Sequence, residues 1–113
     1  MPAYILAASG ISGTVNNWSP VGASTSTGVV TVTPSDNAIV TGLVPTGFGN
    51  DRLLIIRNTS SSNSLTLNHV DSGSSAANRF SLVNSANLVV RPLGSVIVYY
   101  DSTDTVWYSL GQI

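Results

Sequence analysis

Arg91-Pro92-Leu93-Gly94-Ser95-Val96-Ile97-Val98-Tyr99-Tyr100-Asp101-Ser102-Thr103-Asp104-Thr105-Val106-Trp107-Tyr108-Ser109-Leu110 is the stretch that decides the fold class. A Pro and a Gly lead into a β-branched and aromatic run. Polar turn formers follow, and a second run carries Trp107 and Tyr108. This is the pattern of two antiparallel strands joined by a tight loop. Because side chains alternate along a strand, Tyr99 and Tyr100 face opposite ways, as do Trp107 and Tyr108. One aromatic of each pair therefore serves the core and the other the surface.

Upstream of this hairpin the same texture recurs. Val29 to Thr33 and Asn37 to Leu43 read as strands separated by the Pro34-Ser35-Asp36 turn. Arg52 to Asn58 is a continuous apolar run flanked by Arg, the reading for a strand covered on both faces. Ser64 to His69 alternates apolar and polar, Arg79 to Leu82 is a short extended piece, and Asn87 to Arg91 leads into the closing hairpin. Eight or nine short strands at spacings of roughly 8–12 residues, with no helical periodicity, predict an all-β protein, an antiparallel β-sandwich of jelly-roll type. No exact internal repeat is present.

The N-terminal part differs. Ala3 to Ala8 reads either as a first strand or as an arm pairing with a neighbour, and residues 9–27 are rich in Gly, Ser, Thr and Asn around Trp18 and Pro20. The division expected is an extended N-terminal arm over residues 1–20 and a sandwich domain over 21–113. Trp18 is the only bulky anchor in the polar segment, and such a residue docks on its own core or on a partner.

Charged residues make up 8% of the 113, against about 25% in ordinary soluble domains. There is no Lys and no Glu; Arg52, Arg57, Arg79 and Arg91 face Asp36, Asp51, Asp71, Asp101 and Asp104, for a net charge of −1. Nucleic acid is not an expected partner, since phosphate binding needs a basic footprint. A β protein also usually guards its open strand edges with charge. Lacking that guard, this chain is expected to hide its edges in an assembly. The absence of Cys removes disulfides and thiolate metal sites. No segment reaches the 18 or so apolar residues of a membrane span, and the start lacks the positive region of a secretory leader.

Catalytic chemistry finds little support. His69, Asp71, Ser72, Ser74 and Ser75 include the residue types of a Ser-His-Asp triad, but no Gly-x-Ser-x-Gly elbow accompanies them. A lone His at a strand end caps a backbone group or faces solvent. Asp101-Ser102-Thr103-Asp104 offers carboxylates and hydroxyls to a Ca²⁺ ion but lacks the Gly and terminal Glu of an EF-hand loop, so an Asx-turn is the reading preferred. No catalytic residue, cofactor or metal ligand is assigned. Exposed Tyr or Trp of the closing hairpin could bind sugar, as amphipathic aromatics do at binding surfaces.

A string of landmarks carries more. Asn16-Asn17-Trp18-Ser19-Pro20-x-Gly22, Ile39-Val40-Thr41-Gly42-Leu43, Leu53-Leu54-Ile55-Ile56-Arg57-Asn58, Leu65-Thr66-Leu67-Asn68-His69, Ser75-Ala76-Ala77-Asn78-Arg79-Phe80, Leu93-Gly94-Ser95-Val96, Tyr100-Asp101 and Trp107 occur in an order that resembles a β module of tailed-bacteriophage virion proteins. The module is similar to parts of tail fibre and baseplate-associated proteins and to capsid decoration, or cement, proteins. The chain departs from it after the His, where Val70 and then Asp71 stand. The resemblance implies a structural, non-enzymatic role, usually as a homotrimer. A single short chain without a fibre shaft suits a cement protein that bridges major capsid protein subunits on the virion surface after synthesis in the host cytoplasm. The arm, with Tyr4, Ile5 and Trp18, is expected to reach a neighbour, and Arg79 and Arg91 are the expected polar anchors. The alternative is a tail-tip module that binds host glycan.

Overall fold

The computed structural model describes residues 4–112; residues 1–3 of the expected arm and residue 113 lie outside the described residues. The chain shuttles between two sheets. The strands are β1 (Tyr4–Ala7), β2 (Thr14–Val15), β3 (Thr27–Val32), β4 (Ala38–Val40), β5 (Leu53–Asn58), β6 (Leu65–Leu67), β7 (Phe80–Ser81), β8 (Leu88–Val90), β9 (Ser95–Asp101) and β10 (Val106–Gln112). Up to β8, odd strands join a six-stranded sheet of order β1-β3-β5-β9-β10-β7 and even strands a four-stranded sheet of order β2-β4-β6-β8. Helical structure among the described residues is confined to single 3-10 turns at Ala76–Asn78 and Val83–Ser85.

The sheets are mixed, not purely antiparallel as the sequence suggests. β1, β3 and β5 run parallel in the larger sheet and β2, β4 and β6 run parallel in the smaller one. The physical reason lies in the connections. From β1 to β6 each strand is followed by one in the opposite sheet, so the chain returns beside its earlier strand in the same direction, and three coils stack in a solenoid-like arrangement. Ile5 lies beside Val29 and Val29 beside Ile55, offsets of 24 and 26 residues. Among the named strands, antiparallel pairing enters with β8 on β6, β9 on β5, and the hairpin β9–β10, which closes as its sequence predicts.

Inner faces of both sheets share one core. Val30, Val32, Leu54, Ile56, Val96 and Val98 of the larger sheet meet Val40, Leu65, Leu67 and Val90 of the smaller, with Phe48, Phe80 and Trp107 among the largest fully buried side chains. Tyr100 and Trp107 are the core members of their pairs, 5% and 1% exposed, leaving Tyr99 and Tyr108 outside. The Arg52–Asn58 run departs from its sequence reading. Leu54, Ile56 and Asn58 are buried, but Leu53 and Arg57 are exposed, so one face of β5 is open.

Residues 4–20 are not a free arm. β1 is hydrogen-bonded along β3, and β2 along β4. Trp18 is 6% exposed within the core, its amide donates to the Gly42 carbonyl at 2.8 Å, and its carbonyl accepts from the Val44 amide at 2.8 Å. Of the two docking sites open to it, Trp18 takes its own core.

Hydroxyl and amide side chains fasten the coils together. The Asn17 amide donates to Ser74 Oγ at 2.8 Å, Ser74 and Thr41 hydroxyls meet at 2.7 Å, and Thr41 Oγ1 donates to Asn16 Oδ1 at 2.7 Å. Asn17 Oδ1 in turn accepts from the Ser75 amide and from Asn78 Nδ2. The landmarks around Asn16, Thr41 and Ser75, distant in sequence, are thus one junction. A Cβ on Gly42 would lie 2.4 Å from Ser74 Oγ and 2.7 Å from the Asn78 carbonyl oxygen, which is why no side chain fits there.

Val70 sits at φ 43°, a conformation that crowds a β-branched side chain, and is 51% exposed. It is held there by its amide donating to the Phe80 carbonyl at 2.8 Å. Val70→Asn is expected to stabilise the protein by about 1 kcal/mol, because the left-handed region disfavours Val and tolerates Asn. An unchanged or lowered denaturant midpoint would contradict this.

Candidate functional site

The outer face of the larger sheet and the loop end beside it hold the features most suited to recognition. Register and alternation place Ile5, Val29, Ile55 and Ile97 side by side on four successive strands, all pointing away from the core. Beside them Leu53 pairs with Tyr99, and Tyr99 with Tyr108. The two tyrosine rings are 5.5 Å apart at 37°. Their end of the face opens on a recess of about 260 Å³ lined by Asp51, Arg52, Leu53, Tyr99 and Asp101.

Local turn chemistry fixes this end. Asp101 Oδ1 accepts the Thr103 and Asp104 amides at 2.9 and 3.0 Å, the Asx-turn that the sequence predicts. Asp51 accepts the amide and hydroxyl of Ser102, bonds that hold its carboxyl below the usual value of 3.8. Arg52 is spent internally: Nη1 donates to the Thr25 and Phe48 carbonyls at 2.7 and 2.8 Å and Nη2 to that of Thr27. The carboxylates near the recess thus form turns and anchor loops. Among the described residues no three His, Asp or Glu side chains converge as a metal site.

Tyr108 donates its phenol to Asp104 Oδ2 at 2.6 Å, and that bond, with burial and the nearby carboxylates, pushes its pKa up to about 12 from 10.0. The bond therefore stabilises the fold fully below pH 10.0 and is lost as pH rises through about 12. Asp104→Ala is expected to move the ionisation of Tyr108 back toward 10.0 in a spectrophotometric difference titration. Unchanged phenol absorbance between the two proteins across that range would contradict the assignment. Tyr100 is raised too, by burial, while its hydroxyl donates to the Ala77 carbonyl at 2.8 Å.

The would-be triad residues are engaged elsewhere. His69 Nδ1 accepts the Leu82 amide at 2.9 Å, which makes His69 the backbone cap that a strand-end His suggests. Asp71 accepts Asn68 Nδ2 and the Gly73 amide, and these bonds lower its pKa. Ser74 belongs to the hydroxyl junction.

The expected interface residues scatter. Tyr4 and Ile5 are exposed, 57% and 69%, and only Ile5 belongs to the apolar row. Arg79 is half-buried and its Nε donates to the Ser74 carbonyl at 3.0 Å, which clamps its own loop. Arg91 is exposed and lines a second surface depression with Val83, Leu88 and Gln112. Comparison of the chain with family models, with curated proteins and with solved structures finds no match in any of the three.

Sequence reading misses Val29, Ile55, Ile97 and Tyr99 as a shared surface, since they come from three separated segments. A signal was available: Leu53-Leu54-Ile55-Ile56 and Val96-Ile97-Val98 lack the polar alternation of a strand with one wet face. No helix of the described residues is long and apolar enough to cross a membrane.

Proposed function

We propose that the chain is a structural protein of a tailed-phage virion, a trimeric decoration or cement protein that stabilises the head by bridging major capsid protein subunits. The observation that carries this reading is the open apolar face of the larger sheet on a chain with so little charge. Such a surface suits permanent assembly better than a free life in solution. The resemblance of its landmarks to phage virion β modules supplies the setting, the capsid surface. Because such a trimer binds the assembled shell and not the unfolded capsid protein, it stabilises the shell by mass action, and three copies of a weak contact reinforce one another. No catalytic step belongs to this role.

The test is sedimentation of the purified chain with heads that lack it. Saturable binding, together with heads that resist heat better once decorated, is the expected result. The second reading is a tail-tip module, which the recess beside Tyr99 and Leu53 favours because an aromatic ring next to Asp51 and Asp101 suits a sugar's apolar face and hydroxyls. Saturable binding to host polysaccharide on a glycan array, with none to capsids, would replace the first reading by the second.

A further inference from the structure

The apolar row on the larger sheet has a direction, and its two flanks differ. Ile5, Val29, Ile55 and Ile97 cross four strands in a straight line at right angles to them. Along one flank lie Leu53, Tyr99 and Tyr108, with Asp101 beyond Tyr99. Along the other lies Arg57, exposed and paired in register with Ser95. We infer that this face is covered by further copies of the same chain, arranged around a symmetry axis that runs along the row.

Three observations lead there. β5 and β9 carry near-continuous apolar runs, the sequence of strands covered on both faces, while a single copy covers only their inner side. The face is also large enough. Five strands about 4.8 Å apart, each presenting outward residues over roughly 20 Å, give a projected area on the order of 500 Å². That is most of the ~800 Å² that each partner buries in a standard interface.

Charge then selects the axis. Rotation about a line parallel to the row carries each flank onto the opposite flank of the next copy. Arg57 of one copy then meets the Tyr99 ring and Asp101 carboxylate of another, while the aliphatic rows meet at the centre. A two-fold along the strands would instead oppose Arg57 to Arg57 and Asp101 to Asp101, an arrangement penalised by like charge. The face and the axis stand on the sheet itself; the number three rests on the trimer proposed above.

The test is the mass of the full chain by multi-angle light scattering at micromolar concentration, with circular dichroism as the check on folding. The native chain is expected at three times the monomer mass. Ile97→Lys is expected at the monomer mass with an unchanged β spectrum. Arg57→Glu, whose substituted position is exposed and leaves the core intact, should raise the dissociation constant at least tenfold. Adding Asp101→Asn, which keeps the oxygen that caps the hairpin turn, should recover part of that loss. A native chain that stays monomeric overturns the inference. A trimer indifferent to Ile97→Lys and Arg57→Glu overturns this face but leaves the cement reading standing. A trimer broken by both variants that never binds heads overturns the cement reading and leaves the face.

Discussion

Replacing Trp107 by Ala is expected to remove about 3–5 kcal/mol of stability, the usual loss when a buried aromatic is truncated to a methyl. Trp107 is 1% exposed and is the point where three segments are tied. Its strand pairs with β9 through Tyr100 and with β7 through Phe80. Its ring packs edge-on against Phe48 and Tyr100, with centroids 6.4 and 5.2 Å away. Its Nε1 donates to the Leu43 carbonyl at 2.7 Å, 64 residues distant in sequence. Domains of this kind have only about 5–15 kcal/mol in hand, so the variant should be largely unfolded at moderate denaturant. Trp107→Phe separates packing from hydrogen bonding: it keeps a ring but strands the Leu43 carbonyl, for a smaller loss of about 1–3 kcal/mol. Urea midpoints for the two variants check the order. Equal losses, or an Ala variant within 1 kcal/mol of the native chain, would refute this account.

Asn58→Leu is expected to cost roughly 3–5 kcal/mol although Leu branches at the same carbon with the same number of heavy atoms, since several buried polar groups lose their partners together. Asn58 is fully buried at the end of β5. Its Nδ2 donates to the Asn63 carbonyl at 2.8 Å and shares its other hydrogen between the Val90 and Arg91 carbonyls at 3.2 and 3.3 Å. Its Oδ1 accepts the Ser60 amide at 2.9 Å. One amide therefore joins the β5–β6 turn to the end of β8, and with it the two sheets. Asn58→Asp provides the sharper check. A carboxylate facing three carbonyl oxygens is repelled, whereas the protonated acid can donate to one of them. The Asp variant should be badly destabilised at neutral pH and should regain stability as pH falls. Thermal melts across pH 4 to 8 that show no such recovery would exclude this role.

Much of the strand inventory was legible. The runs at 29–33, 53–58 and 95–101 are β-branched and bounded by turn formers, and each became a strand. The Asx-turn at Asp101 and the alternation of Tyr99 with Tyr100 could be read directly, because both depend on residues a few positions apart. Trp18 and Arg79 were harder. Each sits in a polar segment, and whether it turns to its own core or to a partner depends on what lies across from it. For Trp18 that is the core beside Leu43, which its own segment does not contain.

By itself the sequence determined that the chain is β, where its turns lie, which side chains oppose one another within a strand, and that its surface is nearly free of charge. These are consequences of local geometry and composition. Only the tertiary structure decided which strands lie side by side. Backbone hydrogen bonds are blind to side-chain identity, and successive coils share spacing and hydropathy without shared residues, so β1 beside β3 beside β5 cannot be read from any one of them. That lateral order is what aligns Ile5, Val29, Ile55 and Ile97 on one face and gathers Asn16, Thr41 and Ser74 into one junction.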